Sequence, residues 1–137
     1  MVSPLILISG FHYTRVMFDP LHCLDLGVYQ VAVPSAMKEL TANRTIWPAA
    51  KKAERYRQAY REYKCWVKMH RVASYTNQTF RAKAWLKKKY PQISQNQCKG
   101  AALRSMVYWM SHVCDRYKIS DHDKMRALMF SSFAEAD

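Results

Sequence analysis

Glycine and proline are scarce in this chain, with three and five among 137 residues. Turn-rich sandwiches, barrels and collagen-like or low-complexity chains need more of both, so those classes are excluded. Acidic residues are scarce as well, ten against 22 lysines and arginines, which leaves a formal charge of +12. No apolar run reaches membrane-spanning length, and residues 4–8 lack the charged flank of a secretory signal, so no membrane partner is expected. There is no Cys-x-x-Cys pair; Cys23, Cys65, Cys98 and Cys114 are far apart and read as reduced intracellular thiols. Neither a glycine-rich phosphate loop nor a Ser-His-Asp arrangement occurs, and there is no internal repeat.

What is present is an apolar half, eight methionines and many alanines, enough for one helical core. Residues 4–8 read as a buried strand and 11–18 as a second short one. Asp19-Pro20 is a helix start, the aspartate capping free amides and the proline suiting the first helical position. Leu21, Leu24, Val28, Val31 and Ser35 then predict the buried face, with Pro34 kinking or ending the helix. A second helix is predicted over 49–72, its stripe Ala49, Ala53, Tyr56, Tyr60, Tyr63 and Val67. A third covers 79–90 and stops at Pro91. Ser94-x-x-Gln97 resembles a capping box for a fourth helix to residue 118, with Leu103, Met106, Val107, Met110, Val113, Cys114 and Tyr117 as its apolar stripe. Ser120 caps a last helix carrying Met125, Leu128, Met129 and Phe133.

The positive charge is central. Residues 1–43 hold two basic and three acidic groups, 44–104 sixteen and two, and 105–137 four and five. Such an excess points to an anionic partner, and nucleic acid fits best. The candidate phosphate contacts are Lys51, Lys52, Arg55, Arg57, Arg61, Lys87, Lys88 and Lys89, with Lys64 and Lys68 also on the positive side of the second helix. The interleaved aromatics, Trp47 to Tyr90, offer either base stacking or core packing; Tyr56, Tyr60 and Tyr63, at helical spacing, read as core. Cys65-x4-His70 and His112-x-Cys114 have no common structural-zinc spacing and are read as ordinary side chains.

One stretch carries a resemblance. Asp19-Pro20-Leu21-His22-Cys23-Leu24-Asp25-Leu26-Gly27 is similar to the Asp-x-Met/Leu-His-x-x-x-Leu-Gly stretch of eukaryotic DNA-transposon transposases of the DDE, ribonuclease-H-like group. That likeness implies that Asp19 is the second of three metal-binding acids and His22 a motif histidine. It also implies a helical insertion after the motif, and Mg2+ or Mn2+ as cofactor of a complete transposase. No acid precedes Asp19, so the family's first carboxylate is missing, and Asp121, Asp123 and Glu135 match no motif for the third. Asp19 is equally a helix cap.

The expected fold is mainly α: a short N-terminal strand or strand pair, then about five helices, as a fragment of a ribonuclease-H-like α/β domain with a helical insertion. Residues 1–43 form the strand-helix piece, 44–104 the basic aromatic insertion and 105–137 the C-terminal helices, all in one compact unit. The expected function is nuclear or otherwise intracellular DNA binding by a truncated or repurposed transposase fragment. No cofactor is expected in isolation, and an oligomer or a partner would supply the missing acids. The alternatives are a small basic DNA- or RNA-binding helical module without catalytic ancestry, and a basic scaffold for an acidic protein. The isolated chain is expected to show no metal-dependent strand cleavage or joining; magnesium- or manganese-dependent activity that Asp19→Ala abolishes would overturn this.

Overall fold

The computed structural model describes residues 7–9, 21–74, 80, 89–94 and 98–136. A π-helical segment, Leu21–Val28, runs directly into α1, Tyr29–Ala42; α2 spans Lys52–His70, α3 Gly100–Arg116 and α4 Asp121–Glu135. No strand occurs among the described residues. Residues 7–9 form a turn, with Leu7 and Ile8 exposed, which corrects the buried strand expected there. The strand expected over 11–18 and most of the helix expected over 79–90 lie outside the described residues.

The centre of the structure is α3. Its stripe of Leu103, Met106, Val107, Met110, Val113 and Cys114 is buried as expected, and Ala102, Ser105 and Trp109 widen it. Each such large apolar side chain contributes about 1.5–3 kcal/mol when fully buried. All the other helices and the π-helical segment pack against α3. The buried apolar residues form one cluster, drawn from 1–43, 44–104 and 105–137 alike.

Two helices bury other faces than expected. In α1 the inward residues are Tyr29, Val33, Ala36, Met37 and Leu40, while Val28 and Val31 are exposed. A π-helix advances more residues per turn than an α-helix, so a periodicity begun at Leu21 loses phase before α1 begins. Pro34 does not end α1. Its missing N–H leaves the Gln30 carbonyl without its intrahelical donor, and the backbone N–H of Ile93 donates to that carbonyl at 2.9 Å. A bond 63 residues away in sequence therefore keeps the helix continuous.

In α4 the buried residues are Arg126, Ala127 and Phe130, while Met125, Leu128 and Met129 face outward. Phe130 and Phe133 meet edge-on, and the Tyr29 hydroxyl donates to the Phe133 carbonyl at 3.1 Å, tying α4 to α1. The start of α4 is as the sequence predicts. The Ser120 hydroxyl accepts from the Asp123 N–H at 3.1 Å, and the Asp123 carboxylate accepts from the Ser120 N–H at 2.9 Å.

That reciprocal cap makes α4 acid-sensitive. The Ser120 backbone N–H, with the Arg126 guanidinium beside it, holds the Asp123 carboxyl at about 2 against an ordinary 3.8. Burial works against the charge of Glu39, yet hydrogen bonds from His122 and Arg126 outweigh it and lower that carboxyl too. Both groups hold their protons less tightly when folded than when unfolded. Their stabilisation is complete above the unfolded values and disappears as pH falls from about 4 towards 2. Asp123→Asn is expected to remove much of this pH dependence in urea titrations; a variant as acid-sensitive as the wild type would contradict the assignment.

Candidate nucleic-acid interface

The basic side chains of α2 separate into three groups. On the outer face Arg57, Arg61, Lys64 and Lys68 recur at spacings of four, three and four and are all exposed. At 3.6 residues per turn they share an arc of about 60°, and at 1.5 Å per residue they span roughly 16 Å. Glu54 is the one carboxylate beside them and engages Arg57 at 2.7 Å. Lys64 reaches the Ser74 hydroxyl at 3.3 Å. Arg61 and Lys68 have no ion-pair partner among the described residues.

Lys51 and Lys52 form the second group, at the start of α2. Lys51 occupies the cap position in extended conformation and provides no side-chain cap. The helix thus opens with two exposed cations and no side-chain cap, while Glu54 places a carboxylate in its first turn and the Glu54 and Arg55 N–H groups donate to the Lys51 carbonyl at 3.0 and 3.1 Å.

The third group is Arg55, and here the expectation is corrected. Its side chain is buried, with 5 % of its surface exposed. Nε donates to the Thr41 carbonyl at 2.5 Å, and Nη1 to the Ala49 and Ala50 carbonyls at 2.8 and 3.1 Å. Arg55 therefore closes the C-terminal end of α1 and the connection into α2, and has no face for a phosphate. Lys89 is exposed and lies over the Tyr90 ring at 5.6 Å. Lys87, Lys88 and Asp19 lie outside the described residues, as does the side chain of His22.

The central aromatics belong mainly to the core. Tyr56, Tyr63, Trp47 and Phe80 are buried, and Tyr60 packs against them half-buried. Trp66 stacks on His70 at 4.2 Å, on the flank of α2 away from the basic stripe. Tyr90 is exposed, and Tyr75 and Trp85 lie outside the described residues.

Two polar clusters escaped the sequence reading. Asp25, inside the transposase-like stretch, is buried and held by Arg104, with Nη2 to Oδ2 at 2.6 Å and Nε to Oδ1 at 3.4 Å. This pair pins the π-helical segment to α3. In the other cluster Glu39 of α1 meets His122 at 2.9 Å and Arg126 at 2.7 Å, while Arg126 also pairs with Asp123. The four line a cleft with Leu40, Ile46 and Tyr117. Asp123 and Arg126 are three residues apart on α4, but Glu39 and Asp25 meet partners that are far away in sequence, so no local spacing reveals either cluster.

No group of three or more His, Cys, Asp or Glu positioned for a metal occurs among the described residues. Burial pushes the Cys98 thiol up to about 12 and that of Cys114 to about 11, so both stay protonated and act as packing groups. No described helix is long and apolar enough to cross a membrane. The chain matches no known protein family, no curated protein and no solved structure.

The division of α2 into buried and outward cations is measurable. Arg55→Ala leaves three carbonyls without a charged donor and is expected to cost about 1–3 kcal/mol in urea unfolding. Arg61→Ala should stay within about 0.5 kcal/mol of wild type. Equal effects would show that the two arginines are not so divided.

Proposed function

We propose that this chain binds the phosphate backbone of DNA through the outer face of α2 and does not catalyse by itself, as a repurposed piece of a transposase. The observation that carries this reading is the stripe of Arg57, Arg61, Lys64 and Lys68, with a single carboxylate beside it. Over a length of roughly 16 Å the stripe offers four cations to the phosphates beside it on a duplex, whose backbone winds past a straight helix. Lys51 and Lys52 extend the positive surface to the start of α2, where no side chain caps the helix. Contacts of this kind read no sequence; they position the protein on the duplex.

DNA rather than RNA is supported by the likeness of residues 19–27 to the transposase stretch, and DNA binding fits a nuclear setting. Mg2+ or Mn2+ would enter only where other chains supply the missing acids around Asp19. A second reading, a helical module with no catalytic ancestry, uses the same face. It draws support from the helical packing of the described residues and from Asp25, which is spent on a structural ion pair with Arg104.

Four to six phosphate contacts predict that the logarithm of the association constant falls with the logarithm of salt concentration at a slope of about −4 to −5. Anisotropy titrations of a labelled duplex between about 50 and 200 mM salt measure it directly. The quadruple variant Arg57→Gln, Arg61→Gln, Lys64→Gln and Lys68→Gln should reduce the slope by about three to four. Binding that is flat with salt, or that survives the quadruple variant unchanged, sinks the reading.

A further inference from the structure

The helix α2 ends on Arg71, the one non-glycine residue with positive φ among the described residues, at φ 54° and ψ 41°. Its N–H and that of Val72 both donate to the Val67 carbonyl, the latter at 3.4 Å, so the chain turns back on leaving the helix. The Ser74 hydroxyl thereby comes within 3.3 Å of Lys64 Nζ, ten residues earlier. Ser74 is half-buried and outside any helix, and residues 71–73 before it are exposed. A left-handed turn has set a hydroxyl against the basic stripe.

The charge around it is of one sign. Residues 63–114 contain no Asp or Glu. Of the two acids on α2, Glu54 pairs with Arg57 at the far end, and Glu62 is taken by Trp47 Nε1 and Arg116. Arg71 stands three residues before Ser74 and Lys68 six before it. A serine in an irregular segment, behind an arginine at that distance and with no acid nearby in sequence, has the charge pattern that basic-directed serine/threonine kinases select.

We propose that Ser74 is a phosphorylation site for a kinase of that class, and that its phosphate docks on Lys64 and withdraws the α2 stripe from DNA. In the transfer, Ser74 Oγ attacks the γ-phosphorus of ATP and the new Oγ–P bond forms. The bond to the β–γ bridging oxygen breaks, ADP leaves, and the hydroxyl proton passes to the kinase's catalytic base. The product places a charge of about −1.5 to −2 and three acceptor oxygens where Lys64 now meets one hydroxyl. Held on the same chain as Lys64, that phosphate competes with those of a duplex at a high effective concentration. Withdrawal of the stripe rests on the DNA-binding reading, whereas docking of the phosphate on Lys64 does not.

The full chain, treated with an arginine-directed serine/threonine kinase, ATP and Mg2+, should carry phosphate on Ser74 by mass spectrometry. Arg71→Asn should slow that incorporation roughly tenfold or more; asparagine tolerates the left-handed conformation, so the turn is kept. In phosphorus NMR the phosphoserine should titrate below its ordinary value of about 6, and return to it in Lys64→Gln. The phosphorylated chain should bind a labelled duplex roughly tenfold or more weakly than the unmodified chain, with the salt slope reduced by about two. Ser74→Glu, with less charge, should reduce the slope by about one. No phosphate on Ser74, incorporation indifferent to Arg71→Asn, or a phosphorus titration unmoved by Lys64→Gln overturns the proposal. So does a phosphorylated chain that binds as tightly as an unmodified chain whose own binding is salt-dependent. Binding by the unmodified chain that is flat with salt sinks the DNA-binding reading and the withdrawal of the stripe with it, while the phosphorus titration still decides the docked phosphate.

Discussion

Trp109, buried on α3, is the group on which the rest of the structure depends. Trp47 stacks against it with ring centroids 6.2 Å apart, Tyr63 of α2 tilts onto it at 5.4 Å and Phe80 at 5.9 Å. Three aromatics of the basic middle are thereby gathered at one point. Because α2 must turn Tyr56, Ala59, Tyr63 and Val67 towards α3, its remaining positions have to face away. The basic stripe is the complement of that packing. The indole Nε1 finds no acceptor among the described residues, so shape and ring contacts hold Trp109, with no hydrogen bond there to fix it.

Around this apolar centre the molecule takes a few charges inside, and each meets a partner from another segment. Arg55 saturates three carbonyls between α1 and α2, Arg104 holds the buried Asp25, and Arg126 joins α1 to the first turn of α4. Burying an ion pair gains little over an apolar replacement, but removing one partner leaves an uncompensated charge. These contacts therefore specify which helix ends meet more than they add to stability. Glu62 has the same role on the rim, accepting from Trp47 Nε1 at 3.1 Å while pairing with Arg116.

Legibility in the sequence followed the range of the deciding interactions. The stripe of α3 and the Ser120 cap of α4 depend on neighbours three or four positions away, and both were readable. The face of α1 was not, because the π-helical segment shifts its phase and because continuity through Pro34 depends on Ile93. In α4, Met125, Leu128 and Met129 have the spacing of a core face, yet Ala127 and Phe130 face inward in their place. In the candidate interface, the spacing of Arg57, Arg61, Lys64 and Lys68 was visible, whereas nothing local distinguished buried Arg55 from its outward neighbours. The distinction lies in the Thr41, Ala49 and Ala50 carbonyls, which only the folded chain brings to it.

The separation of charge from apolar surface follows from the same packing. With α3 enclosed by the other helices, α2 and α4 each have a single inward face, and what each shows outside is set by composition. In α2 the remainder is cationic; in α4 it is methionine and leucine with paired charges. A chain of +12 that spread its cations evenly would repel its own copies on every side, and would offer an anionic polymer no preferred orientation. On α2 five of them, Lys52, Arg57, Arg61, Lys64 and Lys68, are exposed together. The charges of α1 and α4 are instead nearly balanced, three basic against four acidic, and most of them pair within the chain.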